Sequence, residues 1–329
     1  MDTLAAAVVV FLASSLVVIL AGIGLARYGD ELAEHTGWGT LWVGTILVSI
    51  STSLPELTVN ITAVWLENAP DLALGNVYGA NMLNVVVLSL IGLAFGIRGI
   101  FGQPGRATRR LAQVAIVLVA IAAVMGATGD VALGRSSAGG LLVAVAYLAG
   151  MRAVYNAGRP ATSGEEDARG RGSARGAWIG FVAASLVVIV AGRFLASSAN
   201  SIAEITGISA SFIGVLLVAM VTTLPESSVS AAAAWRRSYG IAVGNVYGSC
   251  AFNVFIFSFA DLASPAPLLR FMEGEHFVAA AAALVLMAMG LLIMRTAAAP
   301  TLALARGLAS AVPLLYVVAL YVVFTMAQR

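Results

Sequence analysis

The sequence predicts an all-α integral membrane protein whose ten transmembrane helices form two inverted five-helix repeats. Hydrophobic residues make up 60% of the 329-residue chain and charged residues only 10%. A water-soluble chain of this length could not bury so much apolar surface. Ten apolar stretches are long enough to cross a bilayer as helices, and a polar segment of the first half returns in the second half.

The predicted spans follow the apolar stretches in order: residues 4–26, 38–65, 72–96, 109–127, 138–155, 177–196, 208–234, 241–260, 276–294 and 303–326. The sixth span repeats the first, as VVILAGIGLA (17–26) and VVIVAGRFLA (187–196) show, and the seventh repeats the second. Five spans separate equivalent points, and an odd number turns the second copy upside down. We therefore predict a first repeat over 1–155, a linker over 156–176 and a second repeat over 177–329.

Arginine placement predicts the orientation in the cell membrane. With an outward N-terminus, fourteen arginines fall on cytoplasmic connections and three on the outer side. Because cytoplasmic loops of membrane proteins are enriched in basic residues, both termini are expected outside and the linker in the cytoplasm. The first apolar run lacks a basic leader, so no cleavable signal peptide is expected.

Composition also limits the function classes. The formal net charge of +2 gives no sign of nucleic-acid binding, and a single cysteine, Cys250, excludes an intramolecular disulfide and a cysteine-based metal cluster. The sequence contains no P-loop and no common hydrolase motif, which argues against ATP-driven pumping and against an intramembrane enzyme. We expect no cofactor and no protein partner; the expected partners are membrane lipid and transported cations.

A carboxylate in the middle of a membrane span is the feature that repeats. SISTSLPELTVNITAVW (49–65) returns without a gap as AMVTTLPESSVSAAAAW (219–235), which places Glu56 and Glu226 170 residues apart (226 − 56 = 170). An ionisable group at the bilayer centre costs about 2.5–3.5 kcal/mol on insertion scales, so it is a functional candidate by default. Duplication of the pattern favours an ion pathway over a pair of unrelated buried hydrogen bonds.

Each glutamate follows a proline, which lacks an N–H and clashes with the carbonyl four residues earlier. Pro55 and Pro225 therefore predict breaks near Ser51 and Val221. Carbonyls freed at membrane depth are tolerated only where they line a cavity or meet an ion. Hydroxyls stand around both breaks, and with the carboxylates they form an all-oxygen set suited to Ca²⁺ or Na⁺: Ser49, Ser51, Thr52 and Ser53; Thr222 and Thr223.

A second repeated element follows each glutamate segment: GNVYGANMLN (75–84) and GNVYGSCAFN (244–253). Its paired glycines permit close helix packing, which is a serious alternative to a role in ion binding. Packing does not explain the amides, and Asn84 and Asn253 are expected to complete the site opposite the glutamates.

Together the two elements resemble the alpha-repeats of the cation/calcium antiporter superfamily, in its prokaryotic sodium/calcium exchanger branch. The resemblance covers most of the chain and implies that Glu56 and Glu226 are central Ca²⁺ ligands, with Thr52 and Thr222 beside them. It further implies that Asn84 and Asn253 lie at the membrane midplane. It also implies sodium sites on either side of the Ca²⁺ ligands, built from Ser53, Thr223, Ser249 and the carbonyls of Ser49 and Ala219. In the family, the first and sixth helices move together across the ion-binding helices. Both carry an Ala-Gly pair at a matched position, and we expect Gly22 and Gly192 to serve gating either by allowing local bending or by providing smooth contact surfaces.

Three residues depart from the family pattern. Ala80 stands where a serine is usual, Cys250 where asparagine is common, and Asn253 where many members carry an aspartate. The expected function is exchange of a divalent cation, Ca²⁺ by the resemblance, for Na⁺ by alternating access. The alternative is H⁺-coupled exchange with the same glutamates as proton carriers, although that branch usually places its glutamate after Gly-Asn, not after Leu-Pro.

Overall fold

The computed structural model of the chain describes residues 1, 3–36, 49–102, 104–158, 174–297 and 301–328. Long helices dominate these residues, as their apolar sequence requires, because a helix satisfies all of its backbone hydrogen bonds internally in lipid. The helices are α1 (Leu4–Thr36), α2 (Leu54–Trp65), α3 (Pro70–Phe95), α4 (Ile97–Gly102), α5 (Arg106–Ala127), α6 (Ala138–Gly158), α7 (Ala174–Thr206), α8 (Ala210–Ile213), a π-helix (Gly214–Val218), α9 (Ala219–Thr222), α10 (Leu224–Trp235), α11 (Tyr239–Ala263), a 3₁₀ turn (Leu268–Phe271), α12 (Gly274–Thr296) and α13 (Leu302–Ala327).

Eight of the described helices are long and apolar enough to cross a membrane, and a bent pair, Ala210–Thr222 with Leu224–Trp235, makes a ninth span. The remaining predicted span, 38–65, is described only from residue 49 onwards, where residues 49–52 and α2 are helical. The predicted fold class is therefore confirmed. The division into 1–155, 156–176 and 177–329 stays a prediction, since residues 159–173 lie outside the described part.

Two strands of two residues each, β1 (Ala132–Leu133) and β2 (Ser136–Ser137), pair antiparallel in the connection between α5 and α6. The buried Asp130 carboxylate accepts a hydrogen bond from the N–H of Gly139 (2.7 Å), in the first turn of α6. This contact satisfies one of the free N–H groups at that helix start. The small ribbon thus connects two spans and adds no layer to the fold.

Helices α3 and α11, which carry the two Gly-Asn elements, form the centre of the molecule. In the most apolar 18-residue stretch of each helix, 72% of the residues of α3 and 83% of those of α11 are buried, whereas the share is 28% in α1 and in α7. Glycine lets α3 approach α8 and the π-helix closely: a Cβ on Gly75 would lie 2.2 Å from the carbonyl oxygen of Ser211 in α8, and one on Gly79 would lie 2.3 Å from that of Val215 in the π-helix. Helix packing therefore accounts for these two glycines.

The two repeats interlock. Helix α1 packs along its counterpart α7, and each also packs on the broken helix of the other repeat. A Cβ on Gly22 of α1 would lie 2.4 Å from Cγ of Pro225, and one on Gly192 of α7 would lie 2.8 Å from Cγ2 of Thr58. The predicted gating glycines are thus the points at which α1 and α7 touch the broken helices.

Helices α1 and α7 are longer than hydropathy predicts, with 33 residues each. Their apolar runs end near the predicted positions 26 and 196, and the helices then continue through polar residues. An ion pair between Arg27 and Glu31 (3.1 Å) supports the extension of α1, and a hydrogen bond from Asn200 to Glu204 (3.0 Å) supports that of α7. Such pairs one turn apart stabilise helices without adding hydrophobicity.

Candidate functional site

Both glutamates lie in the first turn of a half-helix. Residues 49–52 are helical, Ser53 breaks the helix, and α2 restarts at Leu54 with Glu56 in its first turn. The second repeat breaks at Thr223, with a bend of 44°, and α10 restarts with Glu226 in its first turn. The breaks come two residues after the predicted points, because proline is well accommodated in the first turn of a new helix.

The position of the two carboxylates has an electrostatic consequence. Free N–H groups and the positive end of the helix dipole stabilise negative charge at a helix start. Glu56 and Glu226 are both fully buried, with 0% exposure, and repel each other electrostatically. Two buried carboxylates in a membrane need their charges to be compensated by cations or by protons.

A hydrogen bond between the repeats fixes Glu226. Ser53 of the first repeat donates its hydroxyl to Oε1 of Glu226 at 2.8 Å. The hydroxyl oxygens of Thr52 and Ser249 lie 3.5 Å apart, and both side chains interact with the Glu226 carboxylate. This half of the site therefore combines predicted residues from both repeats around one carboxylate.

In the part of the site around Glu56, the described residues provide fewer hydrogen-bond donors than around Glu226. Among the described residues, neither oxygen of its carboxylate has a hydrogen-bond partner of normal geometry. Thr222 lies beside the carboxylate but donates its hydroxyl to Oδ1 of Asn76 at 3.3 Å. Ala80, where the second repeat has Ser249, is fully buried and supplies only a methyl group. Within the described ranges, Glu56 thus has fewer hydrogen-bond donors than Glu226.

The predicted amides lie on the two central helices, and the structure joins only one of them to another amide. Asn253 donates to Oδ1 of Asn81 at 3.2 Å, and the thiol of Cys250 lies 3.9 Å from the Asn81 carbonyl oxygen. Asn84 is fully buried, and neither atom of its amide has a hydrogen-bond partner in the described part of the chain.

The two backbone carbonyls assigned to sodium sites are in hydrogen bonds. The Ser49 carbonyl accepts from Ser53 N (3.1 Å) and from the Thr52 hydroxyl (3.1 Å). The Ala219 carbonyl accepts from Thr223 N at 3.0 Å. Both carbonyls therefore belong to the last turn before each break.

Several buried oxygens on the two broken helices and on α3 and α11 have no hydrogen-bond partner within the described ranges. They are Oε1 and Oε2 of Glu56, Oε2 of Glu226, Oγ1 of Thr223, and the amide oxygens of Asn84, Asn245 and Asn253. Carboxylate, hydroxyl and amide oxygens are ligands of hard cations such as Ca²⁺ and Na⁺. The described residues contain no group of three or more His, Cys, Asp or Glu side chains that could hold a resident metal.

A family model described as sodium/calcium exchanger protein matches residues 6–155 and 176–326, which is most of the chain. The chain belongs to this family. The inner membrane protein YrbG of Escherichia coli is 30% identical over 250 residues, covering 73% of this chain and 74% of that protein. The predicted family is thereby confirmed.

Solved exchangers share the fold. The sodium-calcium exchanger NCX_Mj matches with a TM-score of 0.64 and 23% identity, over 97% of this chain and 99% of that one. The H⁺/Ca²⁺ exchanger CAX matches with a TM-score of 0.72 and 15% identity, over 98% of this chain and 85% of that one. Both are all-α membrane proteins with inverted repeats.

In this exchanger, sequence reasoning missed two polar residues behind the glutamates, Asn60 and Ser230. Both are buried on the same helices as the glutamates, and they bond to the Gly-Asn amides Asn76 (3.1 Å) and Asn245 (3.0 Å). Each follows its glutamate by four residues and so lies on the same helix face. That matched spacing could have revealed them.

Proposed function

We propose that this exchanger is a secondary antiporter that moves Ca²⁺ in exchange for Na⁺, with Glu56 and Glu226 as its central ligands. The observation that carries the proposal is the pair of fully buried carboxylates at the starts of two half-helices, together with buried oxygens that have no hydrogen-bond partner in the described part of the chain. A divalent cation compensates both charges and accepts six to eight oxygen ligands. Sodium ions compensate the same charges when Ca²⁺ leaves, which couples the two movements.

The other predicted residues support the glutamates in this proposal. Thr52, Thr222, Ser53, Thr223 and Ser249 supply hydroxyl oxygens. Asn84 and Asn253 supply amide oxygens at the membrane midplane, and the carbonyls of Ser49 and Ala219 contribute when the last turns before the breaks open. Binding at broken helices between inverted repeats is the arrangement typical of alternating access.

H⁺-coupled exchange is the second candidate. It is favoured by Ala80, which removes a hydroxyl from the half of the site that contains Glu56, and so weakens a potential sodium position. Protons need no such ligand, because each carboxylate can carry one directly. The likeness in fold to CAX is compatible with this candidate.

The experiment that separates the candidates is uptake of radiolabelled Ca²⁺ into proteoliposomes. An imposed Na⁺ gradient drives uptake if Na⁺ is the coupling ion, and an imposed H⁺ gradient drives it if protons are. Glu56→Gln and Glu226→Gln should each abolish uptake in either case, because a neutral amide cannot replace a charge that offsets a dehydrated divalent ion. Glu204→Gln, which alters an exposed carboxylate outside the site, is the matched control. Uptake near the wild-type rate by either site variant would contradict the assignment.

We also propose that both termini are extracytoplasmic and that the linker over 156–176 joins the two five-helix halves in the cytoplasm. In a Cys250→Ala background, single cysteines at Ser163 and Ser173 should be protected from a membrane-impermeant thiol reagent in right-side-out vesicles. A cysteine at Gln328 should react readily. The reverse labelling pattern would invert the proposed orientation.

A further inference from the structure

A chain of hydrogen bonds extends from the site into the protein behind it. The hydroxyl of Thr222 donates to Oδ1 of Asn76 (3.3 Å), and Nδ2 of Asn76 donates to Oδ1 of Asn60 (3.1 Å). All three side chains are buried, and Asn60 is only 1% exposed. The hydroxyl proton of Thr222 is therefore directed away from the Glu56 carboxylate beside it.

The direction of that proton decides whether Thr222 can bind a cation. A hydroxyl coordinates a cation through an oxygen lone pair, so its single proton must be accepted elsewhere. Asn76 accepts this proton only with its amide oxygen. If the amide were turned over, its NH₂ group would face Thr222 and occupy the lone pair that a cation needs. Asn60 favours the observed orientation, because its own amide oxygen accepts from Nδ2 of Asn76.

The second repeat also holds the amide of its Gly-Asn element through hydrogen-bond acceptors. Nδ2 of Asn245 donates to Oγ of Ser230 (3.0 Å) and to the backbone carbonyl of Glu226 (3.2 Å). Ser230 is the counterpart of Asn60 (230 − 60 = 170), and Asn245 is that of Asn76 (245 − 76 = 169). The amide oxygen of Asn245 consequently has no partner among the described residues. The Glu226 carbonyl can only accept and therefore fixes the orientation of the Asn245 amide, while Ser230 adds a second acceptor. Asn60 and Ser230 thus both accept a hydrogen bond from the amide of a Gly-Asn element.

We propose that Asn60 is a positioning residue that fixes the amide orientation of Asn76, and that Ser230 supports the amide of Asn245 together with the Glu226 carbonyl. Through Asn76, Asn60 keeps a lone pair of Thr222 available to the transported cation. The inference rests on the proposed function, since it specifies how a threonine ligand is presented at that site. It predicts that loss of the acceptor at position 60 weakens cation affinity and leaves the maximal exchange rate nearly unchanged.

The second repeat, with Ser230 at the equivalent position, suggests a variant that should restore the affinity. Asn60→Leu removes the acceptor at nearly constant volume, and Asn60→Ser restores one with the residue that the other repeat uses. In the proteoliposome assay we expect Asn60→Leu to raise the half-saturating Ca²⁺ concentration about two- to tenfold, the size of one net hydrogen bond. Asn60→Ser should return it to about the wild-type value. Asn60→Ala replaces the leucine variant if the latter does not fold.

A double-mutant cycle with Thr222→Val distinguishes positioning from general stability. If Asn60 acts through the Thr222 hydroxyl, Asn60→Leu should have little further effect on Ca²⁺ affinity once that hydroxyl is gone. Additive effects, or failure of Asn60→Ser to restore affinity, would overturn the inference. Ser228→Ala is the control, because the hydroxyl of this half-buried residue on α10 donates to the carbonyl of Leu224 in its own helix.

The two proposals fail separately. If wild-type protein shows no Ca²⁺ uptake under either gradient, or if Glu56→Gln is fully active, the proposed function is wrong. If those results hold but Asn60→Leu has wild-type Ca²⁺ affinity, only the positioning role is wrong.

Discussion

The close approach of Gly79 to the π-helix leads to a quantitative prediction for Gly79→Ala. The added Cβ would lie 2.3 Å from the Val215 carbonyl oxygen and 2.6 Å from its Cα, and both distances are well below the 3.4 Å at which ordinary contact begins. Both atoms are backbone, so no rotation of a side chain relieves the overlap, and the π-helix must move away from α3. Overpacking of this kind costs about 1–3 kcal/mol.

Thermal unfolding of the purified protein in detergent measures this cost. A loss of 1 kcal/mol lowers Tm by about 2–4 °C in domains of about 150–250 residues, so we expect Gly79→Ala to unfold roughly 2–10 °C below wild type. Gly307→Ala is the matched control: Gly307 is also inside a helix, α13, and a Cβ there meets nothing within 4 Å. Alanine should stabilise that helix slightly, by about 0.5–1 kcal/mol.

The displacement should also reach the ion site. Val215 precedes the break at Thr223 in the same bent span, so movement of the π-helix shifts the start of α10 and with it Glu226. We therefore expect Gly79→Ala to weaken Ca²⁺ binding, whereas Gly307→Ala should not. Equal Tm values for Gly79→Ala, Gly307→Ala and wild type would refute the packing argument.

Two further predictions concern the coupling ion and the gate. Ala80→Ser should strengthen Na⁺ activation or Na⁺ competition against Ca²⁺ by roughly tenfold, because one added ligand oxygen is worth about 1–2 kcal/mol. Ca²⁺ binding in sodium-free buffer should change little. Unchanged Na⁺ dependence would mean that position 80 does not face the ions or that Na⁺ is not the coupling ion. Gly22→Ala and Gly192→Ala should slow exchange by roughly tenfold while equilibrium Ca²⁺ binding changes less, because the added methyl groups overlap Pro225 and Thr58 and overpacking costs about 1–3 kcal/mol. Wild-type turnover in both glycine variants would contradict a sliding contact at these points.

The number and order of the spans could be predicted because hydropathy reports directly on burial in lipid. The positions of the helix ends were harder to predict from the sequence. Helices α1 and α7 extend about ten residues beyond their apolar runs, and the stabilising pairs, such as Arg27 with Glu31, carry no hydrophobic signal. The short helix α4 and the two-residue strands are too small to leave a periodic pattern.

The types of residue at the candidate site could also be predicted, since duplication marked the glutamates and the hydroxyls around them. Their pairing could not. Sequence distance places Ser53 beside Glu56, yet its hydroxyl bonds to Glu226 of the other repeat. Contacts between repeats depend on how the two broken helices cross, and no spacing within one repeat contains that information. For the same reason, the sequence did not show that Glu56 has fewer hydrogen-bond donors than Glu226 among the described residues.

The bond between Ser53 and Glu226 has a consequence for how the protein is made. A ribosome synthesises Glu56 long before Glu226, so the first half enters the bilayer while the second is still being translated. During that interval Ser53 has no carboxylate to donate to, and Glu56 lies in spans that have not yet met the second repeat, where an ionised carboxylate costs about 2.5–3.5 kcal/mol on insertion scales. We expect the early spans to stay in contact with water or with the translocation machinery until the seventh span arrives. Assembly of the site is thus a late event in biogenesis, and truncated chains that end before α10 should be recognised and degraded as incomplete.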